Sequence, residues 1–551
     1  MIPKDIVSRC SILRDSWSVR KRKFDDWYDL ILLVDELEQE GVESVVSNDP
    51  RTGYNLAKHL LTSMIIADKI PNEGLSAEFI PATSYMEKYM STRWKEQENR
   101  YRKAGRQSWL SELVGWMLSL GWYSVFAMAT ENEIWTEVWS PYDCYPNYGP
   151  DGLLEHAHIY ELSALAANRK CKDMGWTLPR PFTSSVVFYD YWSFDDDGDA
   201  VNSIVADNIW IKQPVKDLAV SKTGRLPIFT SAVGGLPDMG SLKKNNLWQQ
   251  HYGEPLVATN EDIILNYNKM RSFMQQAART AAQPHWLELS SGETPIATDV
   301  LMNTWGSVLH GNPGEDVRAL TGAPIPVELT NILYLYQTEM QKGLLPNAVH
   351  GTIQQQISYM AMANIASAAM QVLTPYRDAV IGLRSDINNF WQSMIIENNW
   401  SPHKFKKPKI MPPIEDMQFD VDADLEIPGY LVQKATVARM LNPNFRLPVT
   451  WIKEKLFPEI LDPKKSMADV RAEDAMMNPK AILVDNIIAY REQARILRQL
   501  DDTNQAELYD KLAKSLEMEL ESVTAQTAQP AQSRPGAENI PIPKELRGGI
   551  E

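Results

Sequence analysis

Charged and apolar positions alternate at helical spacing over 11–40, as in "FDDWYDLILLVDELEQEG", which predicts an N-terminal helical run closed at Gly41. Asn48-Asp49-Pro50 then makes a turn that opens a helix whose apolar face includes Leu56, Leu60 and Leu61. Two further helices are predicted at 80–104 and 107–120. From Trp122 to about Ile211 the period changes, and β-branched and aromatic runs separated by turn clusters predict strands. Within them "SSVVFYDYWSFDDDGDAVNSIV" reads as a hairpin around Asp196-Asp197-Gly198, and beyond them "LPIFTSAVGG" reads as a buried strand entering a glycine turn.

After Pro255 the pattern is helical again. "TNEDIILNYNKMRSFMQQAARTAAQP" offers an N-cap at Thr259 or Asn260, acidic residues in its first turn, and no break before Pro284. Its apolar positions Ile264, Tyr267, Met270, Phe273 and Met274 cover more of the circumference than a single-sided surface helix needs. They are expected to be shared between a return helix and a neighbouring subunit. Short strand-like, turn-rich pieces fill 285–325, and "VELTNILYLYQTEMQK" predicts the return helix, 326–342. A polar stretch follows, "GLLPNAVHGTIQQQISYM", and then a long helix from about Ile357 to Asn399 with Pro375 as its expected kink. The C-terminal part reads as helices at 429–441, "PVTWIKEKLF", 479–500 and 503–523. The Ala/Gln/Pro-rich tail, 524–551, is expected to be disordered. The fold class is α+β, mainly helical.

Charge narrows the function. The chain carries a net charge of −16, whereas a protein that grips nucleic acid by its phosphates has a basic excess. That excludes a polymerase-like or histone-like binder but allows a protein that lets DNA pass without holding it. The 17 tryptophans and 21 tyrosines suit burial or subunit interfaces. Cys10, Cys144 and Cys171 have neither paired spacing nor metal-ligand neighbours, which fits a reducing compartment without disulfides or structural zinc. The start lacks the layout of a signal peptide, and the most apolar run, "LSELVGWMLSLGWYSVFAMA", is interrupted by Glu112, Gly115 and Gly121. A soluble protein is expected.

Chemical motifs are sparse. "GGLPDMGSLKK" lacks the spacing of a phosphate-binding loop. "SFDDDGDAVNSIV" has Ile204 where a calcium-binding helix–loop–helix needs glutamate, so it reads as an acidic hairpin tip. His156 and His158 share one face of a strand without a third ligand, and a surface strand is expected there. No nucleophile motif, zinc motif or catalytic carboxylate spacing stands out, so no enzyme, cofactor or metal is expected. The basic cluster "HKFKKPK", His403 to Lys409, reads equally as a contact for phosphates or an acidic subunit, and as a solvated turn.

The layout resembles the portal protein of tailed bacteriophages, the head-to-tail connector. The resemblance rests on the order of elements to about residue 523. Local texture adds "SNDPRTGYNLAKHL", "LVGWMLSLGWYSVFA", "WSPYDCYPNYGPDG" and the two helices flanking 285–325. It implies a wing-like α+β region (1–258), a stem helix (259–284), a clip (285–325), a second stem helix (326–342) and a tunnel loop (343–360). A long kinked helix with a return to the wing (361–428) and a helical crown (429–523) complete it. It implies a virion protein, made in the host bacterial cytoplasm, forming rings of twelve subunits at one capsid vertex and passing double-stranded DNA without sequence specificity. Implied partners are the terminase large subunit, tail adaptor or head-completion proteins and the major capsid protein, with no membrane. Lys342, Asn347, His350, Gln354, Gln355 and Gln356 would face DNA, and Glu288, Glu293, Asp299, Glu315, Asp316 and Arg318 the terminase or adaptor. Another virion structural protein, or a nucleic-acid enzyme with an unrecognised site, are the alternatives.

Overall fold

A computed structural model describes residues 2–35, 44–71, 75–176, 178, 180–237, 247–282, 285–289, 314, 316–320, 327–344 and 371–424. Toward the C-terminus it describes 439, 449, 452–453, 466–471, 479–499 and 503–527. The chain divides into two compact units, Met1–Met440 and Leu441–Glu551.

In the first unit, α1 (Pro3–Ser16) and α2 (Ser18–Leu32) stand where one N-terminal run was expected. Trp17 breaks the run: its indole is buried and donates to the Pro146 carbonyl at 2.8 Å, which fixes the corner. α2 closes at Leu33, whose φ of 62° is left-handed, well before Gly41, a residue outside the described ones. α3 (Asp49–Thr62) carries Pro50 in its first turn and buries Leu61 fully. β1 (Ile65–Lys69), α4 (Ile80–Lys103) and α5 (Trp109–Leu120) follow. The Ser108 hydroxyl accepts from the Ser111 N–H, and Glu98 accepts from the N–H groups of Trp109 and Leu110, so three orphan donors of α5 are satisfied.

Two antiparallel sheets come next. β2 (Trp122–Ala129) is central in a three-stranded sheet between β3 (Ile134–Trp139) and β9 (Ile228–Ala232). The five-stranded sheet runs in chain order through β4 (Cys144–Gly149), β5 (Gly152–Leu162), β6 (Val186–Phe194), β7 (Ala200–Ala206) and β8 (Ile209–Lys216). α6 (Ala164–Asp173) links β5 to β6, and the single turn α7 (Leu218–Ser221) follows β8. Arg9 of α1 forms an ion pair with Glu155 on one face of β5, while Trp139 of β3 stacks on His158 on the other at 4.0 Å. β5 is therefore covered on both sides, which corrects the surface strand expected at "EHAHIY". His156 and His158 are 0% and 7% exposed.

The core is aromatic. Trp109, Trp94 and Trp391 form a chain with ring centroids 4.7 and 5.1 Å apart. Trp391 belongs to α10 (Thr374–Glu397), whose Leu383, Ile387, Trp391 and Ile395 are buried. Pro375 lies in the first turn of α10, where a missing N–H costs nothing, directly after a 3-10 turn at Gln371–Leu373; the 357–370 part of the expected kinked helix lies outside the described residues. β12 (Asp420–Asp424) returns to pair antiparallel with β1. The buried Asp68 of β1 accepts two bonds from Arg384 of α10, both at 2.7 Å, and one from Asn388.

In the second unit α11 (Pro479–Gln499) and α12 (Thr503–Thr527) form an antiparallel hairpin. Small residues make its seam: Ala494, Ala506 and Ala513 are buried beside Ile487. Ion pairs Arg498–Asp510 and Arg491–Glu517 flank it. The last helix reaches Thr527, past the expected limit at 523, and 528–551 lie outside the described residues.

Candidate functional site

The element that stands apart in the first unit is a helix pair. α8 (Glu261–Ala282) leaves the core, β10 (His285–Leu289) and β11 (Asp316–Leu320) pair antiparallel between the helices, and α9 (Val327–Gly343) returns. Its root is fixed from three directions. Glu261 accepts from Lys23 Nζ at 2.7 Å and Trp27 Nε1 at 3.0 Å, with its carboxylate at the positive end of α8. Asn260 donates to the Met340 carbonyl at 2.9 Å, tying the start of α8 to the end of α9. Asn268 and Ser272, further along α8, accept from the backbone N–H groups of Ser47 and Val45, both at 2.9 Å.

Two glycines permit this root. Gly121 (φ 65°) turns α5 into β2, and a Cβ there would lie 2.5 Å from the Glu254 carbonyl carbon, in the segment that leads to α8. A Cβ on Gly343 would lie 2.3–2.7 Å from the Asn260 amide.

Exposure changes along the pair. At the root Ile264, Met340 and Leu344 are buried. Further out Phe273 is 65% exposed, Tyr334 73% and Leu335 54%. Leu287 and Leu289 of the ladder are exposed as well. Of the five positions expected to be shared with a neighbour, Ile264 is enclosed by this chain's own core. Tyr267, Met270 and Met274 are half-buried, and Phe273 is open.

The ladder register sets Glu288 opposite Val317, Asp316 opposite Leu289, and Arg318 opposite Leu287, bringing three of the expected clip residues into one small sheet. Glu293, Asp299 and Glu315 lie outside the described residues. Lys342 is exposed on the last turn of α9. Asn347, His350, Gln354, Gln355 and Gln356 lie outside the described residues. Sequence reasoning missed Asn260 as a tie between the helices, having read it as a candidate N-cap. It also missed Glu261 as the anchor to α2, although an acid opening a helix was a visible sign.

Elsewhere the acidic hairpin tip is satisfied within the chain, while both ring nitrogens of His156 and Nδ1 of His158 are buried with no hydrogen-bond partner among the described residues. Asp195, Asp197 and Asp199 at the β6–β7 tip converge on Lys216 Nζ at 2.7, 2.9 and 3.0 Å, so an ammonium fills the acidic tip. The hydrogen bond from Lys216 holds Asp195 below the usual carboxylate range. Burial pushes the His156 imidazole down to about 3, with Arg20 adding to the shift, and holds His158 well below the usual imidazole range. Cys10, Cys144 and Cys171 are each buried and unpaired with one another, and burial pushes the Cys10 thiol up to about 12. No helix among the described residues is long and apolar enough to cross a membrane.

No family model matches the chain, and no curated protein does. Among solved structures, the "Neck of native GTA particle computed with C12 symmetry" aligns over 74% of this chain and 89% of that one, at 11% identity and a TM-score of 0.37. At that TM-score the likeness supports no functional statement.

Proposed function

We propose that copies of this chain close into a ring that passes double-stranded DNA, as a portal-like, non-catalytic component of a phage particle. The observation that carries this reading is the α8–α9 pair: firmly rooted, capped by a short ladder, and, among the described residues, exposed at Phe273, Tyr334 and Leu335. Exposed side chains of this size and spacing on one structured element mark an association surface. A neighbouring copy placed head-to-tail against Phe273, Tyr334 and Leu335 gives them that cover, and such a contact closes a ring when the rotation it repeats adds up to a full turn.

In this reading 259–284 and 326–342 are the stem, 285–325 is the clip and 343–360 lines the tunnel. 1–258 is the wing, 361–428 the long helix and return, and 429–523 the crown. Uncharged Gln354, Gln355 and Gln356 would brush phosphates without the counter-ion release that makes arginine or lysine contacts hold. The clip would meet the terminase large subunit and then the adaptor, and the ring would sit in the capsid vertex as a dodecamer for genome packaging and ejection.

Replacing all three glutamines by arginine tests the channel. Each subunit then presents three new phosphate contacts, so DNA passage should stall at low salt and recover partly as ionic strength rises. Replacement by serine should be mild. Normal DNA translocation by the arginine variant would contradict a channel role for this segment.

A further inference from the structure

The basic cluster at 403–409 does not stand alone, because the fold lays it against α4. The Tyr89 hydroxyl donates to the Pro402 carbonyl at 2.7 Å, and the Tyr85 hydroxyl accepts from the Lys406 N–H at 2.9 Å. Phe405 is buried against these two tyrosines, with ring centroids 5.0 and 5.8 Å away. The His403 N–H donates to the Asn132 carbonyl, and the backbone of His403 and Lys404 is left-handed, with φ of 49° and 64°. Two successive non-glycine residues keep that conformation only where their surroundings impose it. The turn is built and held, with Lys404, Lys406 and Lys407 exposed on it.

α4 completes the surface. Lys88, Lys95 and Arg102 recur every seven residues, so they share one exposed row spanning roughly 21 Å at 1.5 Å per residue. The carboxylates of the helix are used at home. Glu87 accepts from the Ile70 N–H at 2.7 Å, Glu98 caps α5, and Glu96 pairs with Arg93 at 2.6 Å. Lys88 and Lys95 have no ion-pair partner among the described residues, and Arg102 donates to the neutral Asn99. Glu96 also approaches His403 Nδ1 at 3.8 Å, and with Glu131 and Glu133 of the β2–β3 turn, whose backbone His403 contacts, it marks the acidic border of the face. In a chain of net charge −16 this is a local reversal of sign, and charges elsewhere are screened beyond about 8 Å at physiological salt.

We propose that this face, α4 together with the 403–409 turn, is a sequence-independent contact surface for duplex DNA. Its chemistry is that of a phosphate-binding surface, with lysines as point charges and Thr92 and Asn99 interleaved as neutral hydrogen-bonding groups. Protein interfaces centre on apolar or aromatic anchors, and the exposed row of α4 carries none. Single strands require exposed aromatic rings for stacking, which the row also lacks. The residues are distinct from the proposed stem and tunnel, so the surface stands whether or not rings form.

Binding of the full chain to a labelled random-sequence duplex, followed by fluorescence anisotropy across a salt series, tests it. With about five phosphates engaged, log affinity should fall against log salt with a slope of about −4.5. Joint replacement of Lys88, Lys95 and Arg102 by glutamine should make the slope shallower by about 2.7. The triple glutamine variant of Lys404, Lys406 and Lys407 should act in the same direction. If both variants bind like the parent chain, DNA is held elsewhere and the proposal fails. It also fails if the parent ignores duplex DNA but binds poly-glutamate, which would assign the face to an acidic protein.

Discussion

Phe273→Asp separates association from folding. Phe273 is 65% exposed, and an aromatic side chain offers about 200 Å² for burial, so about 130 Å² of it awaits a partner. At roughly 25 cal/mol per Å², covering that area contributes about 3 kcal/mol to each subunit contact, or about 100-fold in its dissociation constant. The buried carboxylate of the variant adds a desolvation cost, so this figure is a floor. The part of Phe273 already covered within the chain is about 70 Å², which bounds the loss of subunit stability at about 2 kcal/mol. Ile264→Ala, at a position 1% exposed in the core, should do the reverse: it costs about 2–5 kcal/mol of folding stability without removing an exposed contact. Sedimentation velocity over a dilution series, with thermal unfolding of the same samples, reads both quantities. A Phe273→Asp variant that associates like the parent while losing several kcal/mol of fold stability would show that Phe273 serves the fold and not association.

Two further predictions concern the wing-like region. His156 takes up a proton near pH 6.5 when unfolded but only at about 3 when folded, because burial disfavours its charged form. Its contribution is complete above pH 6.5 and falls as the pH drops toward 3, by roughly 2 kcal/mol at pH 5, with His158 acting in the same direction. Thermal unfolding at both ends of that range should show His156→Phe to be less acid-sensitive than the parent, and an unchanged acid response would count against it. Asp68→Ala leaves the Arg384 guanidinium, 12% exposed, without its carboxylate, and should cost about 3 kcal/mol or more in denaturant unfolding. Asp68→Asn should recover part of that, and a loss under about 1 kcal/mol for the alanine would show that the pair is dispensable.

Local period carried much of the fold. α3, α4, α5, α8 and α9 were legible from their apolar spacing, helped by Pro50 in the first turn of α3 and by Ser108 as the cap of α5. The β6–β7 hairpin was legible from its Asp-Asp-Gly turn. What failed depended on partners that the local pattern does not name. "EHAHIY" carries charge and imidazole as a surface strand does, and only α1 on one side and Trp139 on the other make it interior. The face formed by α4 and 403–409 joins segments far apart in the chain, and sequence cannot say that Tyr85 and Tyr89 hold Phe405 against them. The candidate site divided in the same way: the two helices were readable from their period, and the Asn260–Met340 tie that roots them was not.

Electron-microscope imaging of the purified full-length protein tests the ring most directly. Closed rings with a central hole are expected, in which α8 and α9 of each copy lie against those of its neighbours. A uniform population of compact monomers at concentrations where other particles of this size are well resolved would contradict it.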